Sequence, residues 1–302
     1  MSASREVFIC GAARTPFGKL GGSLAALPAP ALGAAAIREA LRRARVAPGE
    51  VQELFMGNVL SGNVGQAPAR QAALAAGVPQ SCVCTTVNKV CASGAKAVIL
   101  AAQSIMLGTA DVVVAGGMES LSNAPYYLPR VRQGLRMGHS DVVDAVIKDG
   151  LWDPYGNVHM GMCAELCSRC AAARRASRRV QSSNILMHTR CHDSPLRREH
   201  DIGRAAQDAH AARSHARAAA AVAAGAFADE VVPVEVPAAK KGSPPTRVTA
   251  DESVAKGGDA ASLAKCVRLC ARTLSLRTLS PERTHARAPT GCRPRSSVKV
   301  AP

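Results

Sequence analysis

The stretch TTVNKVCASGAKA, residues 85–97, sets a cysteine between a β-branched run and an Ala-rich run. A thiol becomes a good nucleophile when its thiolate is stabilised. A strand-to-helix turn does this with backbone alone, because a helix N-terminus presents unpaired N–H groups and the positive end of the helix dipole. Cys91 lies just before Ala92-Ser93-Gly94, where such a helix would begin. Small residues there let a substrate come close to the backbone, and the same N–H groups could hold the oxyanion of an acyl transfer. The other reading is a buried structural thiol, as expected for Cys82 and Cys84. Spacing alone leaves both readings of Cys91 open.

A second constellation is Cys163, Cys167 and Cys170, with Cys191-His192 further on. C-x3-C-x2-C spacing occurs in radical-SAM iron–sulfur proteins, whose cysteines sit on a loop. Here the three fall mid-helix at i, i+4 and i+7, one helical face, which is also a core pattern. The expectation is no metal.

The elements that must position these residues follow from periodicity. EVFICGAART (6–15) alternates and reads as a short buried strand. APALGAAAIREALRRARV (29–46) has helical spacing, VQELFMGNVL (51–60) reads as a strand, and GQAPARQAALAAG (65–77) as a helix ended by Gly77. SCVCTTVN (81–88) is β-rich, and ASGAKAVILAAQSIMLG (92–108) is a helix apolar almost all round. DVVVAGG (111–117) is an apolar strand. This alternation predicts an α/β fold with a mixed, mostly parallel sheet and helices on both faces. An apolar helix over 92–108 predicts a layer between two sheets. Beyond it, 116–138 is loop-rich, 141–151 reads as a short helix ended by Gly150, 157–173 starts another, 205–225 is a helix ended by Gly225, and 229–236 is a strand.

The net charge of +16 invites a nucleic-acid reading, but its distribution opposes one. Residues 1–168 hold 14 Lys/Arg against 11 Asp/Glu, and 200–265 hold 8 against 8. The excess sits in 169–199 (8 against 2) and 266–302 (8 against 1), two Arg-rich tracts without aromatics or regular period. No nucleic-acid partner is expected. Eleven cysteines without a secretory or mitochondrial leader, and a C-terminus that is no peroxisomal signal, give a cytoplasmic expectation with free thiols. Apolar stretches around 24–37 and 97–107 are too short or too broken to span a membrane, so no membrane partner is expected.

VNKVCASGAKA, AGGMESLSNAPYYL, VIKDGL and NVHMG, in this order, resemble the thiolase family, nearest its acetyl-CoA acetyltransferases. ICGAARTPFGKLGGSLA is similar to the family's opening strand and loop. Ala95, where a larger apolar residue is common, is a mild departure. The resemblance implies a thiolase-like layered fold and makes Cys91 the acyl-accepting nucleophile. It implies reversible condensation of two acetyl-CoA into acetoacetyl-CoA and CoA through an acyl-cysteine. His159 and Met160 then line the pantetheine end of a coenzyme A channel, Leu151 touches coenzyme A, and Ser262 is a polar contact on a looser alignment. No cofactor is implied beyond the coenzyme A thioesters that are substrates. A homo-oligomer, dimer or tetramer, is implied if the enzyme is complete.

The resemblance covers residues 5 to about 168 and resumes from about 201 to 265. It divides the chain into an N-terminal thiolase domain (1–168), a basic insert (169–200), a continuation with the coenzyme A-binding loop region (201–265) and a tail expected to be disordered (266–302). Residues 174–200 are expected to be a retained intron or other gene-model artefact, and 266–302 out-of-frame translation. The family's second half carries a Gly-His-Pro histidine, a Cys-x-Gly cysteine and an Asn-Glu-Ala-Phe segment, and none occurs in these 302 residues. The expectation is therefore a fold with its second half missing and an acyltransferase by family whose own turnover is in question. The alternative is a non-catalytic thiolase-fold fragment that binds coenzyme A or pairs with a partner.

Overall fold

Three apolar runs pair side by side as a parallel sheet. β1 (Glu53–Gly57) is central, with β2 (Val83–Val87) on one side and β3 (Val113–Gly117) on the other. In this computed structural model residues 5–164, 204–238 and 242–254 are described, all within a unit spanning Met1–Gly258.

Side chains alternate across a strand, so β1 serves two layers. Leu54 and Met56 are buried on one face with Ile37 and Leu41 of α1 (Ala29–Ala44) and Ala69, Ala72 and Ala73 of α2 (Pro68–Ala75). Phe55 points the other way, against Ala97 and Ala101 of α3 (Ser93–Leu107). The helices stop where the sequence says they should. Gly77 and Gly108 take the left-handed conformation after α2 and α3, and Arg45 does so after α1.

The sequence expectation for α3 is half met. Its sheet face is a stripe of small residues, Ser93, Ala97, Ala101 and Ser104, which lets the helix lie close to the strands. No second sheet covers its other face among the described residues, and Val98, Ile99, Met106 and Leu107 are exposed. By length and composition alone, Val90–Leu107 is apolar enough to cross a membrane, with a mean hydropathy of 1.6. Its seating on β1 through Ala97 and Ala101 makes it a sheet-packed helix instead.

Residues 6–15 do not form the expected buried strand. Residues 5–10 are exposed, and pairing begins only at Arg14, which meets Val231 in an isolated parallel bridge. A strand needs a neighbour for its ladder, and no described segment forms one with 6–12, although Gly11 packs against Ala40 and Ala44 of α1. Residues 141–151 form a short strand, β5 (Val143–Asp144), and a π-helical turn, Val146–Leu151, rather than an α-helix. β5 pairs with β4 (Tyr126–Tyr127). β6 (Trp152–Asp153) and β7 (Val158–His159) form a hairpin, with residues 160–164 helical after it.

α4 (Arg204–Ala223) leads through Gly225 to a hairpin of β8 (Val234–Val236) and β9 (Thr246–Val248). This hairpin buries Val234, Val236 and Val248 against Leu24 and Leu32, joining chain regions two hundred residues apart. Polar contacts reinforce the junction. Arg14 donates from Nη1 and Nη2 to Asp251 at 2.7 and 3.0 Å and from Nε to Glu230 at 2.7 Å, with its guanidinium over the rings of Phe17 and Phe227.

The hydrogen bonds from Arg14 hold the Asp251 carboxyl below the usual carboxylate range. A folded-state pKa below the unfolded value adds stability that is in place above about pH 4 and is lost as pH falls through the folded value. Asp251→Asn should therefore lose less stability than the parent between about pH 5 and about pH 2. Denaturant unfolding followed by circular dichroism across that range measures it, and equal acid-side slopes would exclude this ion pair as a contributor.

Candidate active site

Cys91 sits in the turn between β2 and α3, and the turn is strained. Val90, just before it, has φ of 49°, a left-handed conformation that a β-branched residue rarely adopts. Such a residue costs of order 1–3 kcal/mol and persists only where its surroundings impose it. Here they are identifiable. Asn88 Oδ1 accepts from the Val90 N–H at 3.0 Å, and Ser93 Oγ donates to the Val90 carbonyl at 2.6 Å while accepting from the Lys89 N–H at 2.9 Å. Ser93 is buried, whereas Cys91 is exposed.

Three glycines set the depth of the turn. Gly57 ends β1, Gly117 ends β3, and Gly94 lies in the first turn of α3. A Cβ built on Gly57 would come within 2.7 Å of Gly94 N and 2.8 Å of Ser93 Cβ, and one on Gly117 within 3.4 Å of Gly94 Cα. The helix N-terminus therefore rests on the C-terminal ends of two strands. Among the described residues the Gly94 and Ala95 N–H groups meet no acceptor, as expected at a helix start.

Cys91, Gly57, Gly94 and Gly117 line a cavity of about 540 Å³. One wall is the loop 13–24, and the other is 117–122. Gly21 N donates to Ser122 Oγ at 2.9 Å, tying the two walls together.

Glu119 also lines this cavity and was not singled out from the sequence as a site residue. Its carboxylate accepts from the Val59 and Leu60 N–H groups at 2.8 and 3.2 Å and from Asn58 Nδ2 at 2.8 Å. Burial nevertheless pushes its carboxyl above the ordinary value, outweighing those bonds. It fixes the chain leaving β1 against the end of β3. Asn58 beside it is buried, with Oδ1 unpartnered among the described residues. The sequence signal is an acidic residue two positions after the Gly116-Gly117 pair that ends an apolar strand.

The other expected site residues group elsewhere. Leu151 ends the π-helical turn, and His159 and Met160 follow across the β6–β7 hairpin, where Trp152 pairs with His159. His159 Nδ1 accepts from the Gly161 N–H at 3.0 Å, so the neutral ring carries its proton on Nε2. None of the three lines the Cys91 cavity. Ser262, Cys167 and Cys170 lie outside the described residues.

The thiols separate by environment. Burial pushes Cys82 up to about 12 and raises Cys84, so both stay protonated near neutral pH. At about pH 8, near the ordinary thiol pKa, iodoacetamide should modify Cys91 and Cys10 and spare Cys82 until the protein unfolds. Peptide mass spectrometry reads this, and early modification of Cys82 would contradict the burial. Gly57→Ala should force the α3 start off the sheet and cost about 1–3 kcal/mol in denaturant unfolding. An unchanged midpoint would show that the contact has slack.

The family model for the thiolase N-terminal domain matches residues 7–185 and 187–268. Acetyl-CoA acetyltransferase 2 of Arabidopsis thaliana is 52% identical over 261 residues, 86% of this chain and 57% of that protein. A cytosolic acetyl-CoA acetyltransferase of Gibberella zeae is 47% identical over 248 residues, 82% of this chain and 55% of that one. The crystal structure of Acat5 thiolase from Ascaris suum in complex with coenzyme A superposes with a TM-score of 0.70 at 33% identity, covering 86% of this chain and 58% of that one. The chain thus spans rather more than half the length of the relatives it matches.

Proposed function

Because the chain belongs to the thiolase family, we propose that Cys91 is the acyl-accepting nucleophile of an acetyl-CoA C-acetyltransferase. The observation that carries this is an exposed cysteine in an enforced turn at the N-terminus of α3, opening on a cavity. The Cys91 thiolate attacks the thioester carbonyl of acetyl-CoA. A sulfur–carbon bond forms to Cys91, the bond to coenzyme A sulfur breaks, and coenzyme A leaves as its thiolate. The acetyl group then passes to the α-carbon of a second acetyl-CoA that has lost a proton, giving acetoacetyl-CoA and freeing Cys91. The reverse direction cleaves acetoacetyl-CoA with free coenzyme A.

The Gly94 and Ala95 N–H groups, which meet no acceptor among the described residues, suit the oxyanion that develops at the carbonyl. Leu151, His159 and Met160 are assigned to the coenzyme A side of the channel, and Ser262 to a further polar contact. No cofactor beyond the coenzyme A thioesters is assigned, and the reading places the protein in the cytosol as a homo-oligomer. Among the described residues no histidine lines the cavity, so the proton transfers are given to no described side chain.

A second reading is favoured by the exposed apolar side of α3, with Val98, Ile99 and Leu107 uncovered. On it, this chain binds coenzyme A or pairs with a partner and does not turn over.

Incubation with acetyl-CoA followed by mass spectrometry separates the readings. Acetylation of Cys91 that is absent from Cys91→Ser, together with thiolysis of acetoacetyl-CoA, is the expected result. Acetylation without thiolysis supports the second reading, and an unmodified Cys91 overturns the first.

A further inference from the structure

The loop 13–24 forms the wall of the Cys91 cavity that carries Thr15, Phe17, Leu20 and Leu24. It contains no helix or strand, and beyond the turn bond from the Gly22 N–H to the Lys19 carbonyl at 2.9 Å its shape comes from contacts with distant residues. Two acidic residues about 230 positions downstream supply them. Asp251 takes the paired donors of Arg14 and also accepts from the Phe17 N–H at 2.8 Å. Glu252 Oε2 accepts from the Lys19 N–H at 2.8 Å and from both the N–H and Oγ of Ser23 at 3.2 Å. The Glu252 N–H returns a bond to the Phe17 carbonyl at 3.0 Å. Two adjacent carboxylates thus hold three backbone N–H groups of one loop, a geometry more specific than a surface ion pair.

The fit is close at Gly22. A Cβ built there would strike the Glu252 carboxylate. A side chain at 22 would therefore displace the Glu252 carboxylate from this position, with no demand from the backbone angle of Gly22 itself. Next to it, the Gly21 N–H is tied separately to Ser122 Oγ on the other wall. Neither Asp251 nor Glu252 lines the cavity, so each acts only through the loop.

We infer that Asp251 and Glu252 are positioning residues that preform the wall facing Cys91 and so set how large a molecule can reach its sulfur. Part of the test rests on the acyl-transfer reading: the wall guides acetyl-CoA to the thiol, so losing it slows acylation. The remainder is independent of that reading, because access of any thiol reagent depends on the wall.

Asp251→Asn and Gly22→Ala test this in the full chain by different routes, one removing charge and the other blocking Glu252 sterically. Cys91 modification is followed by peptide mass spectrometry with iodoacetamide and with a bulky fluorescein maleimide. Each rate is normalised to a free thiol of small size. The expected result is a bulky-to-small ratio at Cys91 that rises in both variants, at temperatures where circular dichroism shows them folded. Acetylation by acetyl-CoA should fall about tenfold to a hundredfold. Glu252→Gln, which keeps the side-chain shape and an acceptor oxygen, should retain more of the parent ratio than Gly22→Ala. An unchanged ratio in both folded variants overturns the inference, as does a change in both reagents that tracks loss of fold alone. A shifted ratio in a protein that acetyl-CoA never acylates supports the wall and refutes the acyl-transfer reading, so the two failures are distinguishable.

Discussion

The contact between the start of α3 and the ends of β1 and β3 is the constraint on which the site depends. No Cβ fits at Gly57, where it would overlap the backbone of α3, whereas one on Gly94 or Gly117 would make ordinary van der Waals contacts. The helix is thereby brought to rest at the carboxyl end of the sheet, with its first N–H groups beside the cavity that Cys91 opens on. In parallel α/β sheets that edge is where ligands bind. The price of such an approach is conformational freedom in the unfolded chain, since glycine loses more of it than other residues. Packing on the far side of β1, through Leu54 and Met56, offsets that cost with buried apolar surface.

Around this contact the protein stabilises an unfavourable backbone locally. Val90 is held left-handed by Asn88 and Ser93, and Ser93 is itself buried under the turn. The result is an exposed cysteine beside a rigid support. Cys82 and Cys84, a few residues earlier, are kept as thiols by burial. Three cysteines within ten residues thus have different chemical prospects, decided by exposure and not by neighbouring sequence. Glu119 does comparable work at the end of β3. It places a half-buried carboxylate where it orders the chain leaving β1, although desolvation opposes its charge.

The outer side of α3 and the walls of the cavity carry the rest of the functional argument. α3 uses small residues toward the sheet and leaves large ones, Val98, Ile99 and Leu107, outside. That inversion of the usual amphipathic pattern is why the helix reads as apolar all round. The cavity wall is assembled from sequence-distant pieces, a loop near the chain start and the segment after β3, and the acidic pair after β9 holds that loop without lining the cavity.

Much of the framework was legible in the sequence. β1, β2, β3, α1, α2 and α3 fall within the expected stretches, because apolar periodicity and terminal glycines are local signals. Cys91 at the start of α3 followed from the same logic, and the family followed from four motifs in order. What the sequence could not decide was set mostly by contacts between distant residues, and at Val90 by near neighbours whose bonds follow no periodicity. Residues 6–15 have an alternating pattern, yet no described strand lies beside 6–12 to complete a ladder. The left-handed Val90, the Glu119 bonds and the hold of Asp251 and Glu252 on the loop 13–24 have no local periodicity to reveal them. The linear chain determined which segments would be helix or strand and which thiol could sit at a helix start. Only the tertiary structure decided which thiols are exposed, where glycine is obligatory, and what shapes the space facing Cys91, because exposure and close approach belong to pairs of segments that the sequence does not place together.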